Sequence, residues 1–397
     1  MKSWFLPGLG LKRWIGILII GGFLCGLSIG KPDGFYIDVL FILLGIFLVV
    51  ISFFKLFFSI DLELRKRGLS VDEIYQEIEQ RRGPKIVAIG GGTGLSTLLK
   101  GLRKYTVNIT AVVTVSDEGG SSGRIRKDWG GVAIGDIRNC LLSLAETNNP
   151  WVSILKYRFE RGELKGHSLG NLVLLALSES EGDFLAGVNK LRKILGIEAE
   201  VLPVTLSDVR LKAFFEDGSF IEGETEIPKI GKKITKIEII PYTASVSPKV
   251  LDAIKKADII VIGPGSLYTS LIPSLLFKDV VEAIRNACAI KFYICNIMTQ
   301  PGETERFSVI DHLKEIKKYL GEDVIDYVIV NIGSISSRML EKYKAEGAEP
   351  VKVDIPLDNK KPIFVCLDLV CEKDGVIRHD SYKLAEAILK IFRERGV

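Results

Sequence analysis

Histidine and methionine are scarce in this 397-residue chain, at three residues each, and its six cysteines are scattered. His167, His312 and His379 lie far apart, which excludes a histidine-rich metal centre. Cys25, Cys140, Cys288, Cys295, Cys366 and Cys371 form no C-x-x-C pair, which argues against a zinc site or a disulfide framework. Charge of one sign is also missing. The balance of 53 basic and 49 acidic residues is only +4, so nucleic acid is not expected as the main partner. There is no internal repeat and no low-complexity tract. With 47% hydrophobic residues the chain buries a sizeable core, and disorder is excluded.

What the chain does have, first, is two apolar runs at its start. Trp14 to Ile29 and Val39 to Phe54 carry no charge. Each falls somewhat short of the roughly 20 residues that span a bilayer. Trp14, Phe35, Tyr36, Phe57 and Phe58 flank them as interfacial aromatics. The short loop Gly30–Gly34 predicts a transmembrane hairpin over residues 1–60. A signal peptide is opposed by the second run, which follows without a small-residue cleavage pattern. Lys2, Lys12 and Arg13 precede the first run, and Lys55, Arg65, Lys66 and Arg67 end or follow the second. The loop offers Lys31 beside Asp33 and Asp38. That bias puts both ends in the cytoplasm and predicts a multi-pass protein of the cell membrane with its main domain inside. Residues 61–84 read as a cytoplasmic linker ending in an amphipathic helix, Val71 to Gln80, with Ser70 as its N-cap.

From Lys85 onward short β-branched runs alternate with helical stretches. Lys85–Ile89, Ile109–Val115, Asp258–Ile262, Lys291–Asn296 and Val324–Asn331 read as strands. The alternation predicts an α/β fold, a doubly wound, Rossmann-like parallel sheet covered on both faces. Ligands of such sheets sit beyond the carboxyl ends of the strands, where strand order reverses. Residues 198–241 differ. Arg210–Glu216 and Ser219–Glu224 flank Asp217-Gly218, a hairpin signal, so an antiparallel β insertion is expected there.

The glycine-rich turns carry the chemistry. Gly90-Gly91-Gly92-Thr93-Gly94 joins a strand to a helix, where backbone N–H groups can approach phosphate oxygens. No Gly-Lys-Ser/Thr follows, so it is not a P-loop. Leu95 stands where a dinucleotide fingerprint needs its third glycine, which weakens an NAD-dependent oxidoreductase. After the second strand, Ser116–Arg124 offers Asp117 or Glu118 for a ribose hydroxyl or Mg²⁺. It also offers Ser121 and Ser122 for phosphate, and Arg124 and Arg126 to neutralise it. Asp136 is an N-cap or a ligand. Gly166-His-Ser-Leu-Gly170 matches the serine-hydrolase string, but a polar segment precedes it instead of a strand. Ser168 and Asn171 are therefore expected at a helix N-terminus, facing a ligand. Gly263-Pro-Gly265-Ser266 is a second phosphate-type turn, and Asn296–Thr304 supplies amides and hydroxyls for a base or sugar edge. Small polar groups dominate and general bases are few, a profile that suits binding or phosphoryl positioning.

These strings, with KIVAIGGGTGLSTLLKGL, SDEGGSSGRIR, GDIRNCLLSLA, NIMTQPGET and the late Arg378-His-Asp380, resemble the YvcK-type gluconeogenesis factors of the CofD-like superfamily. The likeness runs in order from Lys85 to the C-terminus, so residues 85–397 are expected to be one CofD-like, nucleotide-sugar-binding domain. It implies a factor that binds a UDP-sugar such as UDP-N-acetylglucosamine, or another nucleotide diphosphate, and serves cell shape and wall synthesis on gluconeogenic carbon. The superfamily's other branch implies a transferase of 2-phospho-L-lactate. Carried over, Gly91, Gly92, Thr93 and Gly94 resemble the phosphate loop, and Asp117, Ser121 and Ser122 the acidic-serine loop. Asn171, Gly265 and Ser266 resemble other crevice positions, and Arg378 a late nucleotide-sugar contact. Asp117 is also the candidate Mg²⁺ ligand. Many members carry Asp followed by Asp or Asn where this chain has Asp117-Glu118. The hairpin is an addition to a family that is often soluble. Whether the chain catalyses a reaction, and whether it forms a homo-oligomer, stay open at this level.

Overall fold

The computed structural model describes residues 11–27, 35–67, 71–356 and 361–395. The Gly30–Gly34 loop and the Ser70 cap lie outside them. The chain divides into two units, Met1–Ile78 and Glu79–Val397.

In the first unit, helices α1 (Leu11–Leu27) and α2 (Phe35–Arg67) pack antiparallel. Two glycines permit the approach. A Cβ on Gly45 would lie 2.4 Å from Cys25 Sγ and 2.7 Å from the Gly21 carbonyl. Farther along, Cys25 Sγ lies 3.8 Å from the Ile42 carbonyl. Ile19, Ile20, Phe23, Leu40, Phe47, Phe53 and Phe54 are exposed around the pair. The expected hairpin is thus found as a pair of packed helices. Among the described residues no helix is long and apolar enough to cross a membrane. Helix α3 (Val71–Arg82) follows.

The second unit is built on seven parallel strands. In chain order these are β1 (Ile86–Gly90), β2 (Ile109–Val113), β3 (Glu200–Pro203), β7 (Ile259–Ile262), β8 (Ile290–Ile294), β9 (Tyr327–Asn331) and β10 (Ile363–Leu367), arranged β10-β9-β8-β7-β1-β2-β3. The central strands β1 and β7 are apolar without alternation and buried throughout, as a sheet covered on both faces requires. Three strands, β4 (Arg210–Phe215), β5 (Phe220–Glu222) and β6 (Ile234–Ile240), form the expected antiparallel sheet, ordered β5-β4-β6. The sheets meet the sequence expectation with one correction. Residues 200–203 belong to the parallel sheet, paired in parallel with β2, not to the antiparallel insertion. A last antiparallel pair, β11 (Val370–Lys373) and β12 (Val376–His379), was not anticipated.

Helices cover the sheet: α4 (Gly92–Leu102), α5 (Gly120–Trp129), α6 (Gly135–Leu144), α7 (Pro150–Lys156) and α8 (Leu169–Glu181) come from the first half. Helix α4 turns Leu95, Leu98, Leu99 and Leu102 inward at helical spacing, all fully buried. On its other side the backbone of the C-terminal helix Ser381–Glu394 comes so close that a Cβ on Gly101 would lie 1.7 Å from the Ser381 carbonyl. This packing brings the β11–β12 hairpin toward the N-terminal end of α4.

Candidate functional site

Strand order reverses between β1 and β7, which pair in register from Ile86 with Ile259 to Ile89 with Ile262. The two glycine turns leave these adjacent strands side by side at the carboxyl edge of the sheet, the position where doubly wound folds hold ligands. A cleft of about 490 Å³ opens there. Gly91, Gly92, Thr93, Gly94 and Thr97 form one wall, and Pro264, Gly265, Ser266, Thr269 and Ser270 a second. Asn296 to Gln300 follow, with Asp117, Asp136 and Glu224 at one end and Tyr343, Ile377, Arg378 and His379 at the other parts of the rim.

The turns are locked together. A Cβ on Gly94 would stand 2.4 Å from the Pro264 carbonyl and 3.1 Å from Gly265 Cα, so only glycine fits. Gly92 differs. It is the first residue of α4, its φ is +61°, and a Cβ there would meet nothing within 4 Å. Its N–H points toward the cleft and donates to Asp136 Oδ2 at 2.6 Å. The second turn is splinted by side chains. Asn296 Nδ2 donates to the Gly265 carbonyl at 2.8 Å, its Oδ1 accepts from the Gly265 N–H at 3.3 Å, and Gln300 Nε2 donates to Ser266 Oγ at 2.7 Å. Asn296 and Gln300 thus hold the turn.

Acidic groups crowd one end. Burial, then the neighbouring Asp117 charge, push the Asp136 carboxyl up to about 6, against the pull of the Gly92 N–H. Glu224 is pushed up to about 7 by the same two causes in the same order. Glu303 lies behind the wall, also raised to about 7 by burial, with Thr269 Oγ1 donating to its Oε1 at 3.2 Å. Among the described residues no group of three or more His, Cys, Asp or Glu is arranged to hold a metal ion. Asp117 and Asp136 are a pair of carboxylates, and Mg²⁺ is commonly held by one or two carboxylates plus ligand phosphates, so their oxygen chemistry fits that ion only together with a phosphate.

Eight of the sequence-derived site residues line the cleft: Gly91, Gly92, Thr93, Gly94, Asp117, Gly265, Ser266 and Arg378. Ser121, Ser122 and Asn171 do not. They are buried beneath it, where Ser121 Oγ accepts from Asn171 Nδ2 at 3.0 Å and lies 3.2 Å from His167 Nδ1. Ser168 departs from expectation as well. It is the fully buried N-cap of α8, its hydroxyl takes a bond from Arg138 Nη1 and donates to the Leu155 carbonyl, and no strand precedes it. It is neither an exposed nucleophile nor a cleft residue. Arg124 and Arg126 do not serve a cleft phosphate either. Arg124 donates to the Lys165 carbonyl, and the buried Arg126 is held by Asp208 and the Val209 carbonyl, with Glu118 at 3.9 Å. Glu118 is thereby turned to arginines, and Arg378 is the one cation among the described residues lining the cleft.

Sequence reasoning missed Glu224 and His379. His379 is buried, with its Nε2 lacking a partner. Its imidazole is lowered to about 4 by burial, which outweighs a bond to the Cys295 carbonyl. The signal that finds it is Asp374-Gly375, at φ of 52° and 70°, the two-residue turn of a β-hairpin. Placing that turn sets Arg378 and His379 on opposite faces of one strand, and they are exposed and buried respectively.

Comparison with known proteins bears on this architecture. The family profile of 2-phospho-L-lactate transferase CofD matches residues 86–368. The chain belongs to the CofD family. Within that family it is similar to the gluconeogenesis factor of Bacillus subtilis, 42% identical over 313 residues that cover 78% of this chain and 99% of the relative. A relative from Clostridium acetobutylicum is 43% identical over 418 residues, covering 99% of this chain and 92% of its own length. A crystal structure of a UPF0052 family member from Bacillus halodurans superposes with a TM-score of 0.74 at 44% identity, covering 77% of this chain and 99% of that one. CofD-family members therefore occur both with a counterpart to nearly the whole of this chain and at a length matched by little more than three quarters of it.

Proposed function

We propose that the cleft binds a nucleotide diphosphate sugar and that the chain is a membrane-anchored UDP-sugar-binding factor regulating cell shape and wall synthesis during gluconeogenic growth. The observation that carries the ligand class is the pair of glycine turns on adjacent parallel strands at the reversal of strand order. One turn offers the N-terminal N–H groups of α4, where the helix dipole favours an anion, and the other offers Gly265 and Ser266. Arg378 supplies a cation, and Ile297, Met298 and Tyr343 give a base or sugar an apolar wall. Calorimetric titration with UDP-N-acetylglucosamine tests it. Gly92→Val puts a branched side chain into the open space of the cleft, so affinity should fall well beyond the roughly tenfold that 1.4 kcal/mol represents. Circular dichroism checks that the variant is folded. Equal affinity in both folded proteins removes the diphosphate from this loop.

Membrane attachment is supported by the exposed isoleucines, leucines and phenylalanines of the α1–α2 pair and by basic residues at the outer ends of both apolar runs. A reporter fused after residue 83 should be active only on the cytoplasmic side; activity outside overturns this. A second reading, a 2-phospho-L-lactate transferase-like enzyme, is favoured by the matching family's description and by Asp117 and Asp136 at the phosphate end. Phosphorus NMR of the nucleotide sugar with Mg²⁺, protein and an alcohol acceptor separates the two: a phosphodiester formed on the acceptor oxygen, with nucleoside monophosphate released, supports a transferase, and an intact bound ligand supports a binding factor.

A further inference from the structure

A second groove, of about 470 Å³, lies between α4, α6, α7 and the β11–β12 hairpin. It shares Thr93, Thr97, Val376, Arg378 and His379 with the first cleft. Five cations line it: Lys100, Arg103, Lys156, Lys373 and Arg378. Asp374 is the one carboxylate among its described lining residues, and none of the five cations makes an ion pair with a described residue. Lysines and arginines without an ion pair are common in this chain; what marks the groove is that five of them, with Glu146 acting on Arg103, surround one concavity lined by a single carboxylate. Lys100 and Lys156 sit in the last turns of α4 and α7, where a positive charge suits the helix dipole. That reason does not reach Lys373 and Arg378, which stand on the hairpin. Arg103 is half-buried and held by Thr147 Oγ1 at 2.8 Å, which fixes its guanidinium in the groove wall. The unpartnered Nε2 of His379, 94% buried by its 6% exposure, lies in the wall common to both cavities.

We propose that this groove is a second anion-binding site, which takes a small molecule rich in phosphate and lies next to the nucleotide-sugar cleft. Its volume falls in the range of small-molecule pockets, about 300–1,000 Å³, and the Ser381 hydroxyl can donate to a phosphate oxygen, whereas those of Ser96 and Ser143 donate to the Gly92 and Cys140 carbonyls. The phosphates belong either to a second molecule or to the far end of the ligand in the first cleft, which His379 and Arg378 would touch from both sides.

The probe is inorganic tripolyphosphate, titrated calorimetrically into the full chain at low and at moderate salt. Three proteins are compared: wild type, the double variant Lys156→Gln/Lys373→Gln, and Gly92→Val. Lys156 and Lys373 are exposed and unpaired, so their loss leaves the fold intact. Tripolyphosphate should bind wild type, more weakly as salt rises; Gly92→Val removes whatever share the diphosphate loop of the first cleft takes and should keep the groove's share, which the double variant should lose by about tenfold or more. Repeating the titration with UDP-N-acetylglucosamine present separates the sources. Undiminished binding means a second molecule, and exclusion means the far end of the first. No binding to wild type, or a double variant that binds as wild type does, overturns the proposal. Because the double variant alters the groove alone and Gly92→Val the first cleft alone, failure of this proposal is distinguishable from failure of the nucleotide-sugar reading on which the source test rests.

Discussion

The turn after β1 and the turn after β7 are built from the same few residue types, yet they are held in different ways. The β7 turn is splinted from outside by Asn296 and Gln300, and its backbone polar groups at Gly265 are occupied by neutral amides. The β1 turn has no such splint. Its Gly92 N–H is held by the carboxylate of Asp136, a group that shares its end of the cleft with Asp117 and is pushed up to about 6. A neutral amide clamp is indifferent to pH and to a neighbouring phosphate; a crowded carboxylate responds to both. The first turn is the adjustable partner and the second its fixed platform, and Gly94 is the point where they touch.

The largest expected effect breaks that contact. Gly94→Val forces atoms into the Pro264 carbonyl and should cost about 3 kcal/mol or more, read as a large fall in melting temperature, whereas Gly92→Val, open to the cleft, should melt close to wild type apart from the strain of its positive φ. Similar melting curves for both variants would mean that the turns are not locked. Next, Asn296→Ala removes the platform's two bonds to Gly265 and should lower stability by about 1–3 kcal/mol in urea titrations. A variant as stable as wild type would show that the platform stands without its splint. The smallest effect concerns Asp136. A phosphate beside it favours the protonated carboxyl, so binding takes up a proton and strengthens as pH falls from about 8 toward about 6. Asp136→Asn should flatten that dependence, leaving the part due to Glu224, whose carboxyl burial pushes up to about 7. Affinities at several pH values decide it, and an unchanged slope removes Asp136 from the linkage.

The parts of this comparison were unequally legible in the sequence. Strands β1, β2, β7, β8 and β9 announce themselves as β-branched runs that end in glycine or polar turns, because strands buried on both faces need apolar side chains at every position. Strand β3 was misassigned. Four residues, Glu200–Pro203, are too few to show a period, and they adjoin a strong antiparallel signal. Strands β10 to β12 are short and partly exposed, so their composition is mixed. At the site, glycines and Asp117 were readable from the turns themselves. The fates of Arg124, Arg126, Ser168 and Asn171 were not, because each is decided by partners 13 to 83 residues away, as with Leu155 for Ser168 and Val209 for Arg126. A serine or arginine in a polar string looks the same whether it meets a ligand or a backbone carbonyl.

The reversal of strand order also fixes when, during synthesis, a cleft can exist. Lys85 and Asp258, which meet where β1 and β7 begin, are 173 residues apart. At about 5–20 residues per second, roughly 10 to 35 seconds separate their synthesis. During that interval the β1 turn has left the ribosome without its platform, while the N-terminal hairpin has already been made. The His379 wall is completed only with the last strand. A ligand that bridges both turns therefore needs β7 as well as β1, and one that also touches His379 needs β12; by binding the assembled fold it would add about 2.7 kcal/mol at a hundredfold excess over its dissociation constant. Occupancy of the cleft thus reports that strands far apart in the chain have come together.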